Sequence, residues 1–452
     1  MRFELPDGLP YGWTYRLLAT VCSRITSGGT PSRRVKEYFG GNVNWVKTQE
    51  LLDRKLVDTE EKITVSGLNN SSAKLLPENT VLLAMYGATV GKLGILEKES
   101  TCNQACCAFI CDPKQSDYRF LFYVLLGNRT NIIGLASGAA QQNLSGQQLK
   151  LVELAFPPLA LQKNIANVLA SIDDRIDHNR VLAANLEAIA RQLFKSWFVD
   201  FDPVRAKAAG EKPSGLADDI AILFPDRFVE SELGEIPEGW STAHLADLIH
   251  AERGLSYKGA GLADRESGKS MHNLNSVLEG GGYKYAGIKF YTGAFKERHI
   301  AKAGDIIVAN TEQGHKHRLI GFPAIIPTSC DEGLFSHHLY RVRLLRGAAT
   351  TRYWLYYALM APDVREQIIG HANGSTVNML KPTGLQVPLV VLPLLRLCQQ
   401  FDDIVKALHE LIEASIAESA VLTNLRDLLL PRLISGKLRV EDAVSLVEET
   451  IA

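Results

Sequence analysis

Apolar residues between positions 159 and 202 follow the spacing of a coiled coil. Ten positions separated alternately by four and three residues begin at Ile165 and end at Trp197, and no proline or glycine interrupts this stretch. Such alternation is typical of the a and d positions of a coiled coil, so we predict one long helix over 159–202. Its predicted seam consists of Ile165, Leu169, Ile172, Ile176, Asn179, Ala183, Leu186, Ala190, Leu193 and Trp197.

A second long helix is predicted over residues 394–440, because the same pattern returns there. Seven of the ten residues that lie 236 positions after the first seam are apolar, and Ser415 corresponds to Asn179. A polar residue in a seam costs stability and fixes register, although Asn179 could instead face solvent. The second predicted seam consists of Phe401, Val405, Leu408, Ile412, Ser415, Ser419, Leu422, Arg426, Leu429 and Leu433.

The repeat extends beyond the helices. Residues 9–13 (Leu-Pro-Tyr-Gly-Trp) correspond to 236–240 (Ile-Pro-Glu-Gly-Trp), and three later segments correspond in the same order. These later pairs are 79–84 with 304–309, 137–144 with 373–380, and 156–159 with 392–395. Segments 14–75 and 241–300 share almost nothing, so one scaffold carries two different surfaces.

The repeat sets the predicted domain boundaries. The chain is too long for a single ordinary core, and each repeat begins with about 155 residues before its helix. Short apolar runs, short helical stretches and frequent turns in these regions indicate a mixed α+β fold. We predict globular domains at 1–158 and 235–393, a linker at 203–234 and a C-terminal tail at 441–452.

Two equivalent helices in one chain can bury each other's seams. A pseudo-two-fold arrangement would pack them as an antiparallel coiled coil, which we favour, with a globular domain at each end. The stretch from Leu161 to Trp197 would be roughly 55 Å long at about 1.5 Å per residue. Alternatively, each helix packs on its own domain and no spacer forms.

Composition and charge narrow the function only slightly. Hydrophobic residues make up 46% of the chain, charged residues make up 22%, and the net charge is −1. This balance argues against coating nucleic acid by bulk charge but allows a local basic surface. No run of 18 or more residues is apolar, so we expect a cytoplasmic protein without a membrane partner.

None of the motifs considered has the residues and spacing that catalysis would need, and we predict no catalytic residue and no metal site. Cys102, Cys106, Cys107 and Cys111 lie in an apolar run typical of buried free thiols. Residues 87–92 resemble a phosphate loop but are one residue too short. Adjacent His337 and His338 would point to opposite faces of a strand and could not easily share a metal.

Several segments together resemble the specificity subunit of Type I restriction-modification enzymes. Residues 28–32 (Gly-Gly-Thr-Pro-Ser), 38–41, 71–77, 87–92 and 103–108 (Asn-Gln-Ala-Cys-Cys-Ala) look like a target-recognition domain of that family. Residues 193–204 resemble the family's central conserved segment, and residues 428–436 resemble its distal one. The likeness covers nearly the whole chain.

The resemblance implies a non-catalytic chain with two target-recognition domains held apart by an antiparallel helix pair. Each domain would bind one half of a split, asymmetric site in double-stranded DNA. The chain would also scaffold two modification subunits, which use S-adenosylmethionine, and restriction subunits, which use ATP and Mg²⁺, while holding no cofactor itself. A spacer of roughly 55 Å corresponds to about 16 base pairs, less whatever domain packing removes.

Candidate DNA contacts are loop residues of the types that bind base edges and phosphates. A surface role without DNA contact is an alternative for each of them, and so is a protein-assembly adaptor for the whole chain. Gln142 and Asn378 are equivalent in the repeat, which favours a structural role there. The candidates are Thr30, Ser32, Arg33, Arg34, Lys47, Gln141 and Gln142 in the first domain, and Ser256, Tyr257, Lys258, Lys289, Tyr291, Lys316 and Arg318 in the second.

Overall fold

The computed structural model describes residues 1–136, 143–314, 316–330, 332–374 and 377–451. The chain divides into two compact units. The first unit contains residues 1–179 and 418–452, and the second contains residues 180–417. Each unit therefore combines a globular domain with a part of both long helices.

The first repeat supplies ten described strands and six described α-helices. The strands are β1 Thr14–Leu17, β2 Cys22–Ser27, β3 Phe39–Val46, β4 Arg54–Leu56, β5 Lys62–Ile63, β6 Val81–Ala84, β7 Leu93–Leu96, β8 Thr101–Cys102, β9 Cys106–Cys111 and β10 Glu153–Phe156. The helices are α1 Leu18–Val21, α2 Val65–Asn69, α3 Tyr118–Gly127, α4 Arg129–Ile133, α5 Gly146–Lys150 and the long α6 Leu159–Phe198.

The remainder of the chain supplies sixteen described strands and seven described helices. The strands are β11 Phe228–Ser231, β12 Gly234–Pro237, β13 Ser241–His244, β14 Ile249–Arg253, β15 Leu262–Ala263, β16 Lys269–His272, β17 Lys289–Tyr291, β18 Ile300–Ala301, β19 Ile306–Ala309, β20 Thr311–Gln313, β21 Pro323–Ile325, β22 Gly333–Phe335, β23 Leu339–Leu344, β24 Ala372–Asn373, β25 Val377–Leu380 and β26 Leu389–Leu392. The helices are α7 Asp202–Ala208, α8 Asp218–Ala221, α9 Arg352–Ala358, α10 Pro362–Gly370, α11 Pro382–Gln386, the long α12 Leu395–Ile434 and α13 Val440–Ile451.

The core sheet of the first unit has the strand order β2-β9-β6-β7-β4. All its pairings are antiparallel except the parallel edge pair β4–β7. Strand β6 lies at the centre and all four of its residues are buried, as an uninterrupted apolar run predicts. A second sheet of order β5-β3-β8 and the antiparallel pair β1–β10 complete this domain.

The second unit repeats this scaffold. Its sheet has the order β14-β23-β19-β21, and β19 is buried along its whole length as β6 is. A parallel pair, β16–β22, corresponds to the parallel pair β3–β8 of the first unit. The antiparallel pair β13–β26 likewise corresponds to β1–β10. The predicted repeat is therefore present as a common strand order.

Helices α6 and α12 run antiparallel inside the first unit. Arg175 of α6 pairs with Glu418 of α12, whereas Asp173 pairs with Arg426, so the position on α12 rises as the position on α6 falls. Both pairs have N–O distances of 2.8 Å. Asn179 is only 3% exposed and donates a hydrogen bond to Glu418 across 2.9 Å, so it does not face solvent. The first-unit seam residues buried with it are Ile165, Leu169, Ile172, Ile176, Leu422, Leu429 and Leu433.

The second unit holds the other parts of both helices. Phe194 of α6 lies against Phe401 of α12 with ring centroids 5.7 Å apart, and Val405 is completely buried. Among the predicted seam residues of this unit, Leu186 is buried, whereas Leu193, Leu408 and Ile412 are half-buried. The expected α+β class and the long helix pair are both present in the fold.

Two segments contain more regular structure than their patterns indicate. The predicted linker 203–234 contains most of α7, all of α8 and the strand β11. The predicted tail contains α13, in which Ala443 and Val447 are buried against the first unit's core. These apolar residues have helical spacing, but the stretch is short, and its fold depends on a core assembled from distant segments.

Candidate nucleic-acid interface

The loop that carries the first group of candidates is fixed by two glycines. A Cβ atom at Gly28 would overlap the backbone oxygen of Cys102, and one at Gly29 would overlap the backbone of Ser72. The Gly29 amide donates to the oxygen of Cys102 across 2.9 Å. Close approach of the backbone therefore requires glycine at both positions, and these contacts fix the path of the loop.

Arg33 extends from this loop onto an aromatic platform. Its guanidinium carbon lies 4.4 Å from the ring centroid of Phe39 and 5.0 Å from that of Trp45. The guanidinium also makes a two-pronged ion pair with Glu61, with the longer hydrogen bond at 2.9 Å. That hydrogen bonding raises the pKa of Arg33 and lowers the pKa of Glu61. Arg33 thus holds the loop, and its charge is largely compensated.

Lys47 contacts the same Glu61 and the neighbouring Glu60. Its ammonium nitrogen lies 2.8 Å from Glu60 and 3.6 Å from Glu61, so the structure brings Arg33 and Lys47 together around these carboxylates. Thr30 donates its hydroxyl hydrogen bond to Gln104. In contrast, Arg34 is exposed and makes no ion pair with any described residue. Arg34 is therefore the cation of this loop that can meet a phosphate without breaking an existing pair.

In the second unit, Tyr257 and Lys289 form a second candidate group. Lys289 donates a hydrogen bond to the Tyr257 hydroxyl across 3.0 Å, and its nitrogen lies 5.4 Å from the ring centroid. The flanking Ser256 and Lys258 are exposed. Lys258 has no ion-pair partner within the described part of the chain. This group therefore presents one aromatic hydroxyl and two cations.

Tyr291 does not belong to that exposed group. It is 7% exposed and packs in a small core with Leu255, Met271 and Leu334. Gly261 and Gly268 approach it so closely that a Cβ atom at either position would overlap Tyr291 itself. Its burial argues against direct DNA contact by Tyr291, whose ring instead lies 6.1 Å from that of Tyr257 and supports it from the core.

Lys316 and Arg318 lie on a loop organised by an internal carboxylate. Both side chains are exposed, and Arg318 lies 3.6 Å from Glu279. Glu312 accepts hydrogen bonds from the backbone amides of residues 318, 319 and 320, each across 3.0 Å. Burial opposes the ionisation of Glu312, but the three amides outweigh it and lower its pKa. The loop is thus shaped by a fixed negative charge beneath it.

Arg365 supports the same loop from its other side. It donates hydrogen bonds to the backbone oxygens of Ile320, at 2.6 Å, and His317, at 3.0 Å. Its guanidinium lies 3.6 Å from the ring centroid of Phe322, and burial lowers its pKa to about 10. His317 itself has a left-handed backbone with φ of 50°. Two buried charged groups therefore fix the conformation that exposes Lys316 and Arg318.

His337 and His338 extend the surface around Tyr257 and were missed as candidates. They occupy a turn rather than a strand, so the expectation that they point to opposite faces is wrong. Their ring centroids lie 3.9 Å apart, and the His337 ring lies 6.0 Å from that of Tyr257. Burial lowers the pKa of both imidazoles, which favours neutral rings near pH 7. Such rings can donate to or accept from base edges.

The remaining candidates are Ser32, Gln141 and Gln142. Ser32 is exposed beside Arg33, whereas Gln141 and Gln142 lie outside the described residues. Asn378, the repeat equivalent of Gln142, is 3% exposed and donates to the oxygen of Gly314 across 2.7 Å. It therefore has a structural role in the second unit's loop.

The described residues contain no group of three or more His, Cys, Asp or Glu side chains arranged to hold a metal ion. Cys102 and Cys106 are buried free thiols in β8 and β9, and burial raises the pKa of the neighbouring Cys107 to about 12. None of the described helices has the length and apolarity needed to cross a membrane.

A family model described as the Type I restriction modification DNA specificity domain matches residues 10–188. The Type I restriction enzyme MjaIX specificity subunit of Methanocaldococcus jannaschii is 25% identical over 96% of this chain and 95% of its own length. Residues 10–188 thus match a Type I DNA specificity domain, and nearly the whole chain is similar to a Type I specificity subunit. The matched domain contains the glycine-fixed loop, Arg33 and Lys47, together with the first part of α6.

Other specificity subunits are similar over nearly full length. The HindI specificity subunit of Haemophilus influenzae is 23% identical, with 91% of this chain and 98% of that subunit covered. A crystal structure of a Type I restriction-modification S subunit from M. genitalium matches 95% of this chain and 98% of its own with a TM-score of 0.55. Its sequence identity is 16%, so this likeness concerns the fold.

Some residues of the candidate interface could be found from the sequence, and others could not. Exposed cations in glycine-rich loops were visible as residue types, and Gln104 lies in a segment that resembles the family. The aromatic platform of Phe39 and Trp45, the carboxylate of Glu312 and the imidazole pair depend on long-range contacts. No local signal distinguishes those residues from ordinary core or surface positions.

Proposed function

We propose that this specificity subunit selects a bipartite DNA site, with one half bound by each unit. The observation that carries the proposal is the common strand order β2-β9-β6-β7 and β14-β23-β19-β21 beneath unlike loops. A duplicated scaffold with two different exposed surfaces is what two different half-sites require.

In the first unit, we propose that Thr30, Ser32 and Arg34 contact the DNA directly. Arg33 and Lys47 would instead position the loop, because both are already paired with carboxylates. Gln141 and Gln142 remain proposed contacts of the same unit. Breaking the Arg33–Glu61 pair would leave the Glu61 carboxylate without its partner next to a phosphate, which costs free energy.

In the second unit, we propose direct contacts from Tyr257, Lys289 and the adjacent His337 and His338. Ser256 and Lys258 lie beside that group, and Lys316 and Arg318 would contact DNA from the loop fixed by Glu312. Hydroxyl, amine and imidazole groups suit base edges, whereas exposed Lys and Arg suit phosphates. The two units would therefore differ in the bases that they prefer.

The wider complex is part of the same proposal. Two modification subunits would bind S-adenosylmethionine and methylate adenine at the selected site, and restriction subunits would use ATP and Mg²⁺. This chain would supply site choice and assembly but no cofactor, in the cytoplasm. The relatives carry the words "specificity subunit" in their names, which supports this division of labour.

Methylation by purified components tests the proposal. The full chain and its modification subunit, mixed with S-adenosylmethionine, should methylate DNA that contains a split sequence, whereas either protein alone should not. A non-catalytic adaptor that reads no bases would instead leave the methylated sequence unchanged when residues 241–390 are exchanged for those of another family member. Methylation by this chain alone would contradict the proposal outright.

A further inference from the structure

In the first unit, the chain's own N-terminus covers the free edge of β10. The Glu153 amide donates to the oxygen of Met1 across 2.7 Å, and the Phe3 amide donates to the oxygen of Glu153 across 3.1 Å. Arg2 lies directly beside Glu153 in a parallel bridge, and their side chains form an ion pair of 2.8 Å. Phe3 and Leu5 pack against the first unit's core. Residues 1–5 therefore act as an added edge strand.

In the second unit, the equivalent edge has no added strand among the described residues. Leu389 of β26 pairs with His244 as Glu153 pairs with Leu17, so Leu389 is the structural equivalent of Glu153. Its amide donates to Oε1 of Gln367 across 2.8 Å, and its oxygen accepts from Nε2 of Gln367 across 2.9 Å. One side-chain amide thus occupies the two hydrogen-bonding positions that residues 1–3 fill in the first unit.

The chain segment that could have filled this edge is used elsewhere. With the repeat offset of 227 residues, Arg2 and Phe3 correspond to Val229 and Glu230. These two residues lie in β11, which forms an antiparallel hairpin with β12. The second unit therefore pairs its own equivalent segment with β12 rather than with β26.

An apolar cavity of about 430 Å³ lies beside the open edge. Phe194, Phe198, Trp354, Val364 and Val391 contribute to its lining. Trp354 is 1% exposed, and its indole nitrogen has no hydrogen-bond partner among the described residues. A buried donor without a partner costs free energy, and the apolar lining around it suits a bulky apolar side chain.

The rim of the cavity is acidic. Glu235, Asp363 and Glu366 are all exposed and contribute to its lining. None of the three makes an ion pair with another described residue. Three exposed carboxylates repel phosphate and attract cations, so this rim suits a basic peptide better than DNA.

We propose that the edge of β26 and this cavity bind an extended segment of the modification subunit, in which a bulky apolar residue stands beside a basic one. The apolar residue would fill the cavity as Phe3 packs in the first unit, and the basic residue would meet the acidic rim. The segment would displace the Gln367 amide and extend the sheet, a known mode of peptide recognition. This inference rests on the proposed function, since that function supplies the partner.

A second copy of this chain is a poorer occupant, because its own segment of this chemistry is already held at Glu153. The edge itself is suitable for strand addition. In an antiparallel pair, alternate residues bond to the same side, so Val391 directs its backbone amide and oxygen to the same open edge as Leu389. An added strand would therefore find two residues with free or displaceable bonding groups.

Hydrogen exchange of the peptide spanning residues 387–392 tests the proposal in the full chain, free and bound to its modification subunit. The complex should slow the exchange of this segment by about tenfold, as expected for a newly bonded strand edge. Ala361→Trp, which fills the cavity, and Glu366→Lys, which reverses the rim charge, should both remove that protection. Asp247→Lys is the matched control, because Asp247 is exposed in the same unit but does not line the cavity.

Val391→Pro provides a second kind of variant, since it removes an amide on the open edge and changes one lining side chain but leaves the bonds between β26 and β13 intact. It should weaken assembly without altering the helical signal in circular dichroism. A complex that methylates DNA normally but leaves residues 387–392 unprotected would overturn the docking site while the proposed function stands. Protection that rises with the concentration of the free chain would mean that a second copy binds there, and would also overturn it. Failure of the unaltered proteins to associate at all would overturn both proposals.

Discussion

Arg426 donates a hydrogen bond from Nη1 to the carboxylate of Asp173 across 2.8 Å, and so joins α12 to α6 inside the first unit. The Tyr123 hydroxyl donates to the other oxygen of the same carboxylate across 2.6 Å. The side chains of Asp173 and Arg426 are 20% and 17% exposed. In the repeat, Arg426 occupies the position that Ala190 occupies on α6. The Asp173 carboxylate accepts a hydrogen bond at each oxygen, one from Arg426 and one from Tyr123.

Asp173→Asn should destabilise the first unit by about 2 kcal/mol, because it removes the more buried of the two carboxylates that pair with Arg426 and leaves only the exposed Asp427. Urea denaturation of the full chain measures the effect. Asp174→Asn is the matched control on the adjacent residue: its side chain is 54% exposed and pairs with Lys55 at the surface. The control should change stability by less than about 0.5 kcal/mol. Equal losses for the two variants would show that the Asp173–Arg426 pair has no special weight.

Acid should weaken the second unit through His409. Burial lowers the pKa of this imidazole to about 4 from its ordinary value of 6.5, and its Nε2 atom lies 2.9 Å from the Tyr357 hydroxyl. The unfolded chain therefore binds the proton more tightly than the folded chain does. The contribution of neutral His409 to the free energy of unfolding should be fully present above about pH 6.5, and it should fall by about 3 kcal/mol as the pH drops to about 4.

The His409 contribution can be isolated by comparing pH profiles of urea denaturation. His409→Gln should reduce the loss between pH 6.5 and 4 relative to the unaltered chain, since glutamine does not titrate there. His250→Gln changes an exposed imidazole of the same unit and should leave the loss in place. An unchanged profile for His409→Gln would rule out this histidine as the source.

Gly29→Ala should damage the first unit's loop far more than a glycine replacement elsewhere. The new methyl group would overlap the backbone of Ser72, and the backbone has to shift to admit it. We expect a loss of about 3 kcal/mol in the free energy of unfolding. Gly146→Ala is the control, because nothing lies within 4 Å of its Cβ position at the start of α5. It should be neutral or slightly stabilising, and a neutral Gly29→Ala would refute the close-packing argument.

Arg34→Ala should weaken DNA binding without weakening the fold, since Arg34 is exposed and has no ion pair among the described residues. Loss of one phosphate contact should reduce the slope of log affinity against log salt concentration by about 1. Fluorescence anisotropy with the assembled modification complex measures both quantities. Lys212→Ala, which removes an exposed cation paired with Asp218, should leave the slope unchanged. An unaltered slope for Arg34→Ala would exclude Arg34 from the interface.

The parts of the fold that depend on local order could be predicted from the sequence. A regular spacing of apolar residues over ten positions determines a helix, so α6 and α12 were expected near their observed bounds. The strand order could not be predicted, because residues such as Val81 and Phe109 pair across long stretches of chain. Short strands carry too little periodicity to specify their partners.

The candidate site followed the same division. Loop cations such as Arg34 and Lys316 are recognisable as residue types, but pairing decides which of them are available. Arg33 looks like Arg34 in the sequence, yet only Arg33 meets Glu61 and the Phe39 ring. Tyr291 looked exposed because its position in β17 relative to the core was unknown. Burial and charge pairing are tertiary properties, and they separate supporting residues from exposed ones.

Profiling adenine methylation in DNA from cells that express this chain with its modification subunit tests the central claim most directly. The account predicts one asymmetric motif of two short sequences separated by unspecified bases. Exchange of residues 241–390 for those of another family member should change only one of the two sequences. A single uninterrupted motif, or an exchange that alters both halves or neither, would contradict the account.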